Sequence, residues 1–478
     1  MTSNIIKLIY KNKIIEIKNP DTNETILNYV RTKLKKTGTK EGCAEGGCGA
    51  CTIVIGELEK NNIKYKAINS CIAFLPSLEG KQLILVEDLV IKGELHPVQK
   101  AMVSYHGSQC GFCTPGFVMS LFAMYKNFSS YKDEIIKDSI QGNLCRCTGY
   151  RPIVDAAKRL NKDNKRDFFA KDKKITLSLL KKIKKRSIKI INNNKKYFAP
   201  NSINELKKIL KSEPNSKLIS GGTDVSLIVT KERKDLNSLV YLNSIDELNY
   251  IKEENKFIEV GASTPLIKFE PIIKKYFPDF SQILKRYGSV QIRNVCTIAG
   301  NIATASPIGD TLPLLLALDG QIIVKGRNKT QILPLNGFFK SYRKTKLKKG
   351  QFIHSIRIPF LKQNIFKAYK ISKRIDDDIS SVCASFNIEI NKGKIKKIRI
   401  AFGGMSNIPK RAFNCEKVLV NSYFSYKTIN KAKKLLEKDF KPITDARATQ
   451  KYRIEIAKNL LEKCFLEVKQ KKNIRING

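Results

Sequence analysis

Cys43-Ala-Glu-Gly-Gly-Cys48-Gly-Ala-Cys51 is followed by Cys71 twenty residues further on. The spacing is C-x4-C-x2-C followed by a distant fourth cysteine, the plant-type pattern for a [2Fe–2S] cluster. Four thiolates have to converge on two irons, so the backbone must curl around the site. Gly42, Gly46, Gly47 and Gly49 permit the tight turns and positive φ values this needs. They also let backbone N–H groups approach the sulfurs, which tunes the reduction potential. A zinc site prefers two-plus-two pairs such as C-x2-C…C-x2-C. The three-plus-one spacing and the glycine content favour iron–sulfur.

The flanks are consistent with a small domain around this loop. Residues 5–17 read as strand, turn, strand, and residues 24–34 carry apolar positions at helical spacing. Strands are expected at 52–55 and 82–86. Together they make a small mixed sheet with one helix. From residue 96 to 160 the pattern turns helical, most clearly at 97–105 and 116–125. Pro115 and Pro152 stand where helices begin, where the missing N–H costs nothing.

A second cysteine group lies in this helical stretch: Cys110-Gly-Phe-Cys113-Thr-Pro-Gly and Cys145-Arg-Cys147-Thr-Gly-Tyr-Arg-Pro. Each pair immediately precedes an expected helix, with Thr114 and Thr148 as candidate caps. The positive ends of both helices would face the thiolates. Spacing alone leaves zinc and iron open here.

Of the 12 cysteines, eight fall in these two groups. Without an export signal in the first residues, that density points to metal or redox chemistry rather than a disulfide framework. Cys296, Cys383, Cys415 and Cys464 are scattered singly and read as small buried hydrophobes. The formal charge is +46, from 89 basic and 43 acidic residues. Lysines are spread along the whole chain with no basic arm or nucleic-acid motif, which argues against nucleic-acid binding. Hydrophobic residues make up 42% of the 478, enough for sizeable cores. The longest apolar run, 312–318, is far too short to span a bilayer. The expectation is a soluble cytoplasmic protein.

Two later segments suit a nucleotide cofactor. Leu218-Ile-Ser-Gly-Gly-Thr-Asp-Val-Ser226 follows an expected helix and offers backbone donors in a glycine turn that can cradle a pyrophosphate. Such a turn alone is equally an ordinary loop, and it is not a G-x-G-x-x-G fingerprint. Ser289-Val-Gln-Ile-Arg-Asn-Val-Cys-Thr-Ile-Ala-Gly-Asn301, running on to Asp310, gathers small residues, hydroxyls, an amide and a carboxylate. Thr297 and Asn301 suit phosphate oxygens, and Asp310 suits a ribose or adenosine hydroxyl.

These motifs together resemble the xanthine oxidase family. Cys110-Gly-Phe-Cys113-Thr-Pro-Gly with Gly142-Asn-Leu-Cys145-Arg-Cys147-Thr-Gly-Tyr-Arg-Pro-Ile153 is similar to its second [2Fe–2S] domain, and the plant-type cluster before it is the family's arrangement. The resemblance implies iron rather than zinc at both groups. It also implies that the helical domain lies against a molybdenum cofactor, with Cys147 contacting the pterin and Gln109 a weaker candidate. The two later segments resemble the family's FAD domain, shared with the vanillyl-alcohol oxidase flavoenzymes. There Leu218, Ile219, Ser220, Gly221, Gly222, Thr223, Asp224, Val225, Thr297, Gly300, Asn301 and Asp310 would hold FAD. Ala299 stands where the family has a glycine, which alters the approach of the pyrophosphate slightly. Tyr287 falls where an aromatic ring lies near the isoalloxazine, and Lys370 and Asp377 match a lysine and an acidic loop beside the flavin. Phe338-Phe-Lys-Ser-Tyr342-Arg-Lys-Thr-Lys346 is similar to the segment lining the nicotinamide side, with Tyr342 as the ring contacting NAD. Gly403-Gly404-Met405, Pro409-Lys-Arg411 and Thr444-Asp-Ala-Arg447 look like the family's C-terminal flavoprotein domain.

The expected fold is therefore α+β and multidomain. A β-grasp plant-type ferredoxin domain is expected at 1–88 and a helical-bundle [2Fe–2S] domain at 89–160. A lysine-rich linker at 161–194 would lead to a vanillyl-alcohol-oxidase-type FAD domain at 195–364 and a C-terminal α+β flavoprotein domain at 365–478. By this resemblance the chain is the small, electron-transfer subunit of a molybdenum hydroxylase, in a hetero-oligomer with a large subunit that carries the molybdenum cofactor. Electrons would pass through two [2Fe–2S] clusters to FAD and on to NAD during purine hydroxylation. The equivalent subunit of an aldehyde- or N-heterocycle-oxidising enzyme is the alternative, and a basic zinc-stabilised nucleic-acid-binding protein the remote one. No catalytic side chain is expected, because the cofactors carry the chemistry.

Overall fold

A computed structural model describes residues 4–160, 167–183, 186–326, 329–360, 364–472 and 474. The chain forms two compact units. One comprises Met1–Glu247 with Gly288–Cys296, the other Leu248–Tyr287 with Thr297–Gly478.

In the first unit, β1 (Ile5–Tyr10) and β2 (Lys13–Lys18) pair through the two-residue turn Lys11–Asn12, both at positive φ, as a tight hairpin requires. Helix α1 (Ile26–Thr32) starts at Thr25, whose side chain accepts from the backbone N–H of Asn28, and it buries Ile26, Leu27 and Val30. Strands β3 (Thr52–Glu59), β4 (Asn62–Asn69) and β5 (Gln82–Ile84) complete a five-stranded sheet in the order β2-β1-β5-β3-β4. Only β1 and β5 run parallel. This is the mixed sheet with one helix that the sequence pattern implies.

Helices α2 (Pro97–Ser104), α3 (Thr114–Asn127), α4 (Asp133–Ile140) and α5 (Arg151–Arg159) follow. Every residue of α3 from Gly116 to Tyr125 is buried, as befits the central helix of a bundle. Pro115 and Pro152 do lie in first turns, but neither threonine caps its helix. The cap positions are Cys113 and Tyr150, and neither makes a side-chain cap bond.

Part of the segment expected as a linker is folded. Residues 161–166 and 184–185 lie outside the described residues, but Phe168–Lys171 and Lys173–Lys182 are helical and Ile188–Asn192 is a strand. Asp167 is buried and ties the segment to the bundle. Its carboxylate accepts from His96 Nε2 at 3.0 Å and from Lys126 Nζ at 2.8 Å, while His96 Nδ1 accepts from the Val98 N–H at 3.2 Å. Burial would push the Asp167 carboxyl up, but the His96 and Lys126 contacts bring it below its ordinary value. Burial pulls the Lys126 ammonium down, although Asp167 works in the opposite direction.

The first unit also holds a four-stranded sheet in the order Lys217–Ile219, Ser238–Tyr241, Lys195–Ala199, Ile188–Asn192. Ile190, Tyr197 and Leu239 of this sheet share one core with Leu8, Ile55 and Leu83 of the first.

The second unit has a five-stranded antiparallel sheet ordered Ile251–Glu253, Phe257–Gly261, Phe352–Pro359, Gln321–Lys325, Thr330–Pro334. The apolar run at 312–318 is a core element, since every residue of the helix Thr311–Ala317 is buried. A four-stranded antiparallel sheet (Ile365–Ile371, Val382–Asn391, Lys394–Gly403, Lys410–Arg411) packs against helices Tyr426–Asp439 and Gln450–Gln470 through a shared core that includes Phe386, Phe402, Leu436 and Leu461. The singly placed Cys296, Cys383, Cys415 and Cys464 are all buried. Among the described residues no helix is long and apolar enough to cross a membrane.

Candidate cofactor sites

The first cysteine loop runs from α1 into β3, so the sheet fixes one end of it. Cys51 sits beside the first residue of β3, and Cys71 lies in the short turn after β4. Their sulfurs are 3.2 Å apart and both residues are buried. Gly46 and Gly49 have positive φ values as expected, Gly42 and Gly47 do not, and the non-glycine Ala44 takes a third such position in the loop. A Cβ on Gly46 would stand 2.5 Å from Ile72 Cδ1, so a larger residue would have to displace that side-chain end and adopt a strained φ of 79°. The N–H groups of Gly47 and Glu45 point at Cys43 Sγ from 3.3 and 3.5 Å, and Asn69 Nδ2 points at Cys51 Sγ from 3.7 Å. Thiol contacts from Cys48 and Cys71 hold Cys43 low, and a contact from Cys71 holds Cys51 low. The donors Cys48 and Cys71 are pushed up in return. Four converging sulfurs supplied with N–H donors fit a [2Fe–2S] cluster. Among the described residues no group of three or more His, Cys, Asp or Glu side chains is placed to hold a metal ion.

In the second group Cys113 stands at the start of α3, and Cys145 and Cys147 precede α5. Thr148, expected as a helix cap, instead gives Cys145 Sγ two donors, its N–H at 3.4 Å and its hydroxyl at 3.2 Å. Burial works against the Cys145 thiolate, but these bonds bring it down to about 7. Burial and the contact with Cys145 push Cys113 up to about 12. A contact with Cys110 raises Cys147. The sulfurs thus associate as Cys113 with Cys145 and Cys110 with Cys147. Cys110 and Cys147 are exposed. The chain reverses through Gly149 and Tyr150, both at positive φ, and the Tyr150 hydroxyl accepts the Cys145 N–H at 3.0 Å. This donor set also fits a [2Fe–2S] cluster.

The two groups are joined directly. Leu144 N–H donates to the Cys48 carbonyl at 2.9 Å, and Asn143 Nδ2 donates to the Gly49 carbonyl at 3.0 Å.

The turn at 218–226 belongs to the first unit. Leu218 and Ile219 end a strand, Gly222 has φ of 71°, and the Ser226 hydroxyl donates to the Ile72 carbonyl at 2.7 Å, next to Cys71. A Cβ on Gly221 would lie 2.3 Å from the Val295 carbonyl oxygen. Ser220, Gly221 and Gly222 line a small cavity together with Asn69, Ile72 and Val295. Thr223, Asp224 and Val225 complete the turn, none of them fully buried.

The remaining expected flavin residues lie in the second unit. Thr297 caps the helix Ile298–Thr304 by accepting the Gly300 N–H at 3.0 Å. Asn301 donates to the Tyr287 hydroxyl at 3.0 Å and accepts from the Thr311 hydroxyl at 2.5 Å. Both oxygens of the Asp310 carboxylate have protein partners, and each keeps a further lone pair that could accept from a hydroxyl. Asp310 is buried, with Oδ2 paired to Lys370 Nζ at 2.8 Å and Oδ1 accepting from the Ser380 hydroxyl at 2.5 Å. Lys370 also donates to the Arg286 carbonyl at 2.9 Å, so its charge is spent on the protein. Asp377 is half-buried at positive φ, and Tyr342 projects 59% exposed from the hairpin Phe339–Ser341/Lys344–Thr345. Asn69 carries no motif of its own, and Thr148 and Asn143 lie inside the quoted cysteine motifs without a role toward sulfur or backbone being legible there. Only their proximity in sequence to a ligand cysteine could have marked them.

Four family models match in succession. Residues 9–75 match a 2Fe-2S iron-sulfur cluster binding domain and 85–158 a [2Fe-2S] binding domain. Residues 190–361 match the FAD binding domain in molybdopterin dehydrogenase, and 367–468 the CO dehydrogenase flavoprotein C-terminal domain. The chain has the iron–sulfur and FAD domain architecture of the molybdopterin oxidoreductase (xanthine oxidase/CO dehydrogenase) superfamily. It is 33% identical to xanthine dehydrogenase of Emericella nidulans, over 88% of this chain and 35% of that protein. It is 31% identical to xanthine dehydrogenase of Oryza sativa subsp. japonica, over 94% of this chain and 39% of that protein. The chain therefore spans little more than a third of the length of these curated relatives. Carbon monoxide dehydrogenase from Hydrogenophaga pseudoflava superposes with a TM-score of 0.53 and 25% identity, over 56% of this chain and 94% of that one. Quinoline 2-oxidoreductase from Pseudomonas putida 86, at 22% identity and a TM-score of 0.53, shares the fold over 57% of this chain and 96% of that one.

Proposed function

We propose that this chain is the iron–sulfur and flavin electron-transfer part of a molybdenum hydroxylase, acting with a cytoplasmic partner that holds the molybdenum cofactor and oxidises the substrate. Aldehydes and N-heterocycles are the broad substrate class. Hypoxanthine or xanthine is the narrower reading, supported by curated relatives named xanthine dehydrogenase. When bound, the clusters supply one-electron traffic, and FAD couples it to two-electron reduction of an acceptor. Cys110, Cys113, Cys145 and Cys147, two of which are exposed, would hold the cluster that receives electrons from the partner. Cys43, Cys48, Cys51 and Cys71 would hold the one that passes them to the flavin. The 218–225 turn, Tyr287, Thr297, Gly300, Asn301, Asp310, Lys370 and Asp377 are the residues proposed to bind FAD.

The observation that carries this reading is the bond from Leu144 N–H to the Cys48 carbonyl, which connects the neighbour of one ligand to another ligand across 2.9 Å. The chain's own contribution is positional. Gly46 and Gly49 curl the first loop, Thr148 and Gly47 aim donors at sulfur, and Ser226 ties the flavin turn to the residue after Cys71. Exposed Tyr342 supports NAD as acceptor. Anaerobic purification with the co-expressed partner tests the reading. About four irons and one FAD per chain, with NAD reduction when the partner's substrate is added, support it. A colourless zinc protein refutes it.

A further inference from the structure

Gln291 belongs by sequence to the segment matched as FAD-binding, yet the short helix that carries it, Val290–Arg293, is built into the iron–sulfur unit. The side chain is fully buried. Its amide Nε2 shares two hydrogens among three acceptors: Thr52 Oγ1 at 3.2 Å, Ser120 Oγ at 3.1 Å and Asn143 Oδ1 at 3.1 Å. Thr52 follows the ligand Cys51, Asn143 precedes Cys145 by two residues, and Ser120 lies on the helix that Cys113 begins. One amide thus reaches the first cluster loop and both arms of the second.

The proton arrangement admits one amide orientation. The Thr52 hydroxyl donates to the Gly49 carbonyl at 2.6 Å, and the Ser120 hydroxyl donates to Asn143 Oδ1 at 2.7 Å. Both hydroxyls are therefore left as acceptors, and only an N–H can face them. The surroundings are too close for slack. A Cβ on Gly142 would meet Ser289 Cβ at 2.1 Å, one on Gly49 would meet the Gly142 carbonyl at 2.2 Å, and one on Gly116 would meet the Gly49 carbonyl at 2.3 Å. On either side of Gln291 the segment holds both modules again. Arg293 pairs with Asp138 of α4, and Asn294 Nδ2 donates to the Ala67 carbonyl of β4 at 2.8 Å.

We propose that Gln291 is a positioning residue that fixes the two iron–sulfur modules in a single mutual placement. This rests on the two-cluster reading above. Gln291→Leu is the informative substitution. It keeps the side-chain bulk and removes the amide's donations. Each polar partner still retains a bond, because Thr52 donates to Gly49 and Ser120 to Asn143.

The test uses the holoprotein reduced by dithionite and examined by low-temperature electron paramagnetic resonance. Two reduced clusters split each other's resonances with the inverse cube of their separation, so a single placement gives a resolved splitting. The expected result is that Gln291→Leu retains the parent's iron content but loses the resolved splitting to broadening. Ser120→Ala, which removes one acceptor without touching the helix at 290–293, is expected to broaden it less and serves if the first variant is insoluble. An unchanged splitting in a soluble variant with full iron overturns the inference and leaves the two-cluster reading intact. A parent protein that holds no iron overturns that reading, and the inference with it.

Discussion

The Leu144 N–H and the Cys48 carbonyl form a 2.9 Å hydrogen bond that joins the two cysteine groups without an intervening side chain. Because Leu144 is bonded to Cys145, the route from one sulfur to the other consists of backbone and one hydrogen bond. Such a link is short and stiff, and it lies within one compact unit. It explains why the loop before Cys145 must carry Gly142, where any side chain would collide with Ser289.

Thr148→Val should lower the reduction potential of the second cluster. The Thr148 hydroxyl donates to Cys145 Sγ at 3.2 Å and stabilises the more negative, reduced state. Its loss is expected to cost about 60 mV, equivalent to about tenfold in a one-electron equilibrium. A spectroscopic redox titration reads the shift, and a potential that does not fall contradicts the role given to Thr148.

Gly221→Ala should reduce flavin retention while leaving iron in place. The added Cβ would sit 2.3 Å from the Val295 carbonyl, and backbone cannot swing aside as a side-chain end can. Overpacking of this kind costs about 1–3 kcal/mol and shifts the turn. The flavin-to-iron ratio of the purified variant measures it. An unchanged ratio argues that the 218–225 turn does not hold FAD.

Asp167→Asn should destabilise the first unit by about 3 kcal/mol, the low end for a fully buried pair, since it leaves the half-buried Lys126 without its counter-charge. The pH dependence has a definite sign. The folded-state pKa of Asp167 lies below its ordinary value, so its contribution is present above about pH 4 and fades as pH falls through the folded pKa. Denaturant melts of parent and variant should differ most near neutrality and converge in acid. A gap that widens in acid contradicts the assignment.

Much of this fold is legible in the sequence because the informative residues are close together in it. The turns at Gly46 and Gly49 and the hairpin of β1 and β2 are local signals, and these features stand where their patterns imply. Contacts between distant residues are not legible in this way. Thr148 reads as a helix cap because threonine before a helix commonly is one, yet the left-handed turn at Gly149 and Tyr150 redirects its hydroxyl to Cys145. Asp310 reads as a sugar ligand because it follows glycine, and its ion pair with Lys370, sixty residues on, leaves no mark in the sequence. Gln291 gives no signal at all, since its three acceptors come from three separate segments.

The order of electron flow is tested by Cys113→Ser in the complex with the proposed molybdenum partner. Flavin reduction is followed anaerobically by absorbance, first with the partner's substrate as donor and then with NADH. The account predicts that substrate-driven reduction is lost, because electrons enter at the site that Cys113 helps to form, while NADH-driven reduction remains. Equal loss of both, with FAD still bound, would contradict it.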